Sequence, residues 1–153
     1  MLLKPDDVFR GLLVEARDLF VAGHFYSCVA MCGIVGERLV KDVFRTSVLI
    51  RKNGSTEQPT EAALDQLERV ETIGIIEFLK KAELLLAEAA DAAKNLGKLR
   101  NNYAHSRGKK PDADAAEAIK MLHALVEGTV SVFKDFEIKD GKLVRKTAPP
   151  IIP

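Results

Sequence analysis

The feature that most constrains this chain is a helical spacing of apolar residues that runs through almost all of it. Val8, Leu12, Leu13, Ala16, Leu19 and Phe20 recur three and four positions apart, as do Val29, Cys32, Val35, Leu39, Val43 and Phe44. A period near 3.6 puts each set on one face of a helix, and such a face needs another element to cover it. Pro5 followed by Asp6 and Asp7 suits a helix start: proline lacks an N–H that the first turn leaves unused, and acids favour the positive dipole end. Gly23 stops this first helix. The second starts near His24 or Phe25 and is expected to run to about Ile50. A joint this short folds the two back as an antiparallel pair.

Residues Arg51 to Pro59 carry Asn-Gly and Pro and are expected to form a loop, followed by a shorter helix over Thr60 to Val70. From Ile73 to about Ser106 the pattern is helical again, with a candidate break near Ala82 to Leu85. Gly108 and Pro111 are expected to end that stretch. Asp114 with Glu117 three residues on resembles a capping box, opening a helix over Ala115 to Phe133 whose apolar face is Ile119, Leu122, Val126, Val130 and Phe133. After Phe136 the character changes. Asp140-Gly141 lies between two short alternating runs, the pattern of a small hairpin, and Ala148 to Pro153 reads as an extended tail. The fold class expected is therefore all-α, an antiparallel helical bundle over residues 1–135, with a short C-terminal hairpin or extended tail over 136–153.

At 153 residues the chain is one domain's worth of protein. Its 23 Lys and Arg against 22 Asp and Glu leave +1, so no global field draws it to nucleic acid or membrane. No apolar run approaches a membrane span, and the first residues lack a secretory pattern, so the expectation is a cytoplasmic protein without a membrane. Cys28 and Cys32 fit a reducing interior and read as small core residues; two thiols alone make no zinc site. There is no P-loop, GxGxxG, GxSxG or HExxH, and no cofactor is expected. His24 reads as a cap or joint residue, His123 as a helix-surface or interface one, and Glu68, Glu71, Glu77 and Glu83 as solvated helix faces.

The uneven part of the charge lies between Ala92 and Pro111. This window holds Lys94, Lys98, Arg100, Arg107, Lys109 and Lys110 and no acid, leaving 17 basic against 22 acidic residues elsewhere. A cationic helix end beside a basic turn is a candidate phosphate site, with Lys98, Arg107, Lys109 and Lys110 as phosphate-binding residues. The alternative is a solvated face whose lysines offset the dipole at a helix C-terminus.

Inside this window stands Arg100-Asn101-Asn102-Tyr103-Ala104-His105. The string resembles the RX4–6H motif of HEPN domains, small all-α modules that carry it at the end of the penultimate long helix. The opening is also similar to a HEPN helix pair: Ala16-Arg17-Asp18-Leu19-Phe20, then Gly23-His24-Phe25-Tyr26-Ser27-Cys28-Val29-Ala30, then Gly36-Glu37-Arg38-Leu39-Val40-Lys41. Arg17 with His24 has a related spacing, but Gly23 interrupts the helix between them. The resemblance covers about residues 8–133. It implies a metal-independent endoribonuclease of a toxin or defence system, acting as a homodimer and leaving a 2′,3′-cyclic phosphate. Its catalytic residues would be Arg100, Asn101 and His105. His105 would take the proton from an RNA 2′-OH, Arg100 would stabilise charge on the phosphorus oxygens, and Asn101 would orient the imidazole or the phosphate. Implied partners are RNA or a nucleotide, a second copy, and an antitoxin or a nucleotidyltransferase-type protein.

Helix geometry qualifies that reading. At 100° per residue Arg100 and His105 lie about 140° apart, with Lys94, Lys98, Asn101 and His105 on one face and Leu96, Leu99 and Tyr103 on the other. Arg100 at the rim meets His105 only through its long side chain, an unwound turn or a second subunit. The competing expectations are a non-catalytic HEPN-like module binding a nucleotide or a protein, and a helical scaffold. In the non-catalytic module the residues around Arg100 only hold phosphate or hold structure. In the purely structural case Asn101 and His105 tie down a loop while Arg100 pairs with an acid of the second helix such as Glu37.

Overall fold

The computed structural model describes residues 7–52, 54–105, 107–129, 136–139 and 142–145. Its helices are α1 (Asp7–Val21), α2 (Phe25–Ser47), α3 (Glu61–Glu68), α4 (Thr72–Lys81), α5 (Ala87–Ala104) and α6 (Pro111–Thr129). Its strands are β1 (Ile50–Lys52), β2 (Ser55–Glu57), β3 (Phe136–Lys139) and β4 (Lys142–Arg145). Among the described residues the architecture is an all-α bundle with two small hairpins.

α2 is the spine, packed against α1, α4, α5 and α6. Its Cys28, Val29, Cys32, Val35, Leu39, Val40 and Val43 are all within 1% of complete burial, at the spacing that the apolar pattern requires. Leu79 of α4, Leu96 of α5 and Leu125 of α6 close around them. Truncating any one of these leucines to alanine removes about 2–5 kcal/mol, because the cavity left behind does not collapse. The two cysteines are core residues, unbridged, and Cys28 Sγ donates to the Ala16 carbonyl at 3.4 Å.

α1 ends as its glycine requires. Gly23 adopts φ +76°, His24 N–H donates to Leu19 O at 2.9 Å, and Gly23 N–H donates to Phe20 O at 3.0 Å. This is a Schellman closure, in which a left-handed residue lets the chain turn back and satisfies the last carbonyls. His24 is then the N-cap of α2, with no side-chain capping bond.

The same closure ends α4 without a glycine. Glu83 holds φ +58°, its N–H donates to Lys80 O, and Leu84 N–H donates to Leu79 O. The expected break near Ala82 to Leu85 is thus a Schellman turn, and it separates α4 from α5.

Two sequence expectations need correction. The Arg51 to Pro59 stretch is not simply a loop: β1 and β2 pair antiparallel with Ile50 opposite Glu57, Arg51 opposite Thr56 and Lys52 opposite Ser55, and Gly54 has φ +84°. Asn-Gly is a hairpin signal as much as a loop signal. Secondly, Pro111 does not end a helix but opens α6, with Asp114 N–H donating to Lys110 O at 2.8 Å. Proline at a first helical position costs no hydrogen bond. Asp114 is therefore inside the first turn rather than at the cap.

α6 buries Ala115, Ala118, Leu122, Leu125 and Val126. Val130 and Phe133, expected on the same face, lie outside the described residues, as do Pro5, Asp6 and the 146–153 tail. The expected hairpin after Phe136 is present as β3 and β4, paired with Phe136 opposite Arg145 and Lys139 opposite Lys142.

Candidate functional site

α5 carries the Arg100 to His105 string, and its buried side decides which residues are left outside. Leu96 and Tyr103 are buried and Leu99 is partly so, which turns Lys98, Asn101 and His105 to solvent. Tyr103 fastens the helix end. Its hydroxyl donates to Asp114 Oδ2 at 2.6 Å, and its ring packs edge-on against Tyr26 with centroids 4.7 Å apart. Burial, and then the Asp114 carboxylate, push the phenol well above its ordinary value. The ring also occupies the space a side chain at Gly108 would need, 2.5 Å from an ideal Cβ there.

Arg100 faces the other way, toward α2. Its Nη1 donates to Glu37 Oε2 at 2.5 Å, while Lys41 Nζ reaches Glu37 Oε1 at 2.8 Å. Burial works against a charge on Glu37, but the hydrogen bonds from Lys41 and Arg100 outweigh it and hold the carboxyl below its usual value of 4.5. The arginine stem reaches this position only because residue 33 has no side chain. A Cβ on Gly33 would lie 2.7 Å from Arg100 Cβ and 2.8 Å from its Cδ.

His105 is the C-cap residue of α5, with its own N–H donating to Asn101 O at 3.1 Å. Its exposed imidazole has no hydrogen-bond or ion-pair partner among the described residues. Arg100 and His105 make no contact with each other among the described residues: one is held against α2 and the other is exposed at the helix end. Lys98, Asn101, Arg107, Lys109 and Lys110 are all exposed. Lys94, of the same window, is half-buried and paired with Glu77 of α4. Of the remaining sequence candidates, Arg17 pairs with its neighbour Asp18 at 2.8 Å, and His123 lies 3.6 Å from Glu127 on the surface of α6.

Beside Arg100 and Asn101 opens a cleft of about 380 Å³ between α2, the start of α4 and α5. Its floor is made by Gly33, Gly36, Val40, Ile76, Ala93 and Gly97, and its rim by Glu71, Thr72, Ile73, Lys98 and Asn101. Sequence reasoning did not find it. The available signal was glycine on facing helices, Gly33 and Gly36 on α2 and Gly97 inside α5, since glycine within a helix is costly unless something approaches closely.

Among the described residues no cluster of His, Cys, Asp and Glu could hold a metal ion, and no helix is long and apolar enough to cross a membrane. Comparison of the chain with protein-family models, with curated proteins and with solved structures finds no match.

Proposed function

We propose that this protein is a HEPN-like RNA-binding domain, and that it cleaves RNA without a metal ion when two copies pair. The observation that supports this most is the exposed stripe of Lys98, Asn101 and His105 at the end of α5, whose side chains have no partner among the described residues, beside the basic Arg107, Lys109 and Lys110. Among the described residues nothing pairs with these side chains, and together they suit an anionic backbone.

In this reading His105 accepts the 2′-OH proton. The 2′-oxygen bonds to phosphorus, the bond to the 5′-oxygen breaks, and that oxygen takes a proton from water, leaving a 2′,3′-cyclic phosphate. Arg100 stabilises the charge on phosphorus only after leaving Glu37, or by acting on a strand held with the second copy. The homodimer, the antitoxin or nucleotidyltransferase-type partner and the toxin role belong to this proposal. Two buried thiols support a cytoplasmic address.

The 2.5 Å pair between Arg100 and Glu37 favours a second reading, a module that binds RNA or a nucleotide without cutting it. Incubating the protein with RNA in EDTA separates the two. Cleavage by the wild type with cyclic-phosphate ends, lost in His105→Ala, supports the nuclease. Degradation by both proteins, or by neither, removes it. RNA retention without cleavage, weakening as salt rises, leaves the binding module. Growth arrest relieved by Arg100→Ala would support the toxin role.

A further inference from the structure

We propose that the cleft between α2, α4 and α5 is a nucleobase subsite, taking the ring of a nucleotide whose phosphate lies along Lys98 and Asn101. The proposal rests on the RNA reading above and adds to it where a base is held and which residues meet it.

The cavity comes first. At about 380 Å³ it falls within the range of small-ligand sites, about 300–1,000 Å³, and it joins an apolar floor to a polar rim that includes the Glu37 and Glu71 carboxylates. Internal packing accounts for two of its glycines but not for the third. Gly33 is needed for the Arg100 stem and Gly36 for Leu96, whose Cδ1 is 3.0 Å from an ideal Cβ. Gly97 is different. It sits in the interior of α5, where alanine would stabilise the helix by about 1 kcal/mol, yet no atom lies within 4 Å of the Cβ it lacks. The space it leaves belongs to the cleft.

The chemistry of the walls selects the ligand. Glycine backbone with Val40, Ile76 and Ala93 gives a floor without protruding groups, suited to a flat ring. Lys94 and Arg100 are already paired with Glu77 and Glu37. The side chains of Thr72, Glu71, Lys98 and Asn101 have no partner among the described residues, so the rim offers donors and acceptors to the edge of a heterocycle. An aliphatic chain would leave that rim unused, and a bare sugar phosphate would leave the floor unfilled. Asn101 is also one helical turn from His105, about 6 Å along the axis, so a strand anchored by its base in the cleft runs on to the imidazole.

The test uses the full chain, isotope-labelled for NMR and titrated with 5′-AMP, 5′-UMP, ribose 5-phosphate and inorganic phosphate. Expected are base-bearing ligands binding about tenfold more tightly than ribose 5-phosphate, with amide shifts centred on Gly33, Gly36, Gly97 and Ile73. Gly97→Leu, which fills the cleft from a position with open space, should weaken 5′-AMP and 5′-UMP by about tenfold or more and leave inorganic phosphate unchanged. Equal affinity for nucleotides and ribose 5-phosphate, or shifts centred elsewhere, overturns the proposal; so does unchanged nucleotide binding by folded Gly97→Leu. The shift map stands even where a variant fails to fold. The two proposals fail separately. Cleft binding with no RNA cleavage sinks the nuclease alone. Cleavage whose base preference ignores Gly97→Leu, with no shifts in the cleft, sinks the subsite alone.

Discussion

Gly33→Ala and Gly97→Ala add the same methyl group to the interior of two helices, and the structure predicts opposite outcomes. Each gains about 1 kcal/mol of helix propensity. At Gly33 the new Cβ would stand 2.7 Å from Arg100 Cβ, against about 3.5 Å for ordinary carbon contact, so roughly 0.8 Å must be found. A new rotamer can move the Cγ and Cδ of Arg100, which also lie inside 3.0 Å, but not its Cβ, which the α5 backbone carries. The helices must therefore separate, and overpacking of this kind costs about 1–3 kcal/mol. The strained ion pair with Glu37, about a third exposed, adds at most about 1 kcal/mol. The net effect at Gly33 is a loss of about 1–2 kcal/mol, against a gain of about 0.5–1 kcal/mol at Gly97. With a urea slope of about 1–3 kcal/mol/M, the two unfolding midpoints should differ by about 1 M. A Gly33→Ala midpoint equal to or above that of Gly97→Ala would refute the close approach of α2 and α5.

Tyr103→Phe removes the 2.6 Å bond to a half-buried Asp114 and should cost about 1–2 kcal/mol in urea unfolding; an unchanged midpoint would mean that water replaces it fully. Glu37 ionises more readily folded than unfolded, so its contribution is present above its ordinary value of 4.5 and disappears as pH falls through the lower folded value. The stability gap between wild type and Glu37→Gln should accordingly narrow below about pH 4.5, and a gap that widens there would contradict the Lys41 and Arg100 contacts. Glu83→Gly relieves a left-handed non-glycine residue and should raise the melting temperature by a few degrees, about 1 kcal/mol; a fall would show that Glu83 has a favourable role beyond its backbone.

Which parts of the fold could be read in advance follows from where the chemistry is local. The Gly23 joint was legible because only glycine takes its conformation cheaply, and the α2 spine because its period holds from Val29 to Phe44, more than four turns. The α4 to α5 break was only roughly placed because Glu83 fills the position where glycine would have announced it. Pro111 was misread for a related reason: proline both ends helices and opens them, and only the Lys110 carbonyl bond decides. At the candidate site, the exposed stripe of Lys98, Asn101 and His105 followed from rotation about one helix, and Glu37 was foreseen as a partner for Arg100. The cleft was not legible. It depends on the separation of three helices and on the direction in which Arg100 leans, and neither is encoded in any short stretch of chain.

The Tyr103 ring that rests where a Gly108 side chain would go has a practical corollary for saturation mutagenesis. The ring is tied to Asp114 and Tyr26 and has little freedom to step aside, so every substitution at position 108 should cost about 1–3 kcal/mol and be depleted in a screen for folded protein. Its neighbours Arg107, Lys109 and Lys110 are exposed and should accept nearly all of them. Repeating the screen under selection for biological activity would then expose any of the three that turns intolerant. The difference between the two tolerance profiles would mark contact with a ligand before that ligand has been identified.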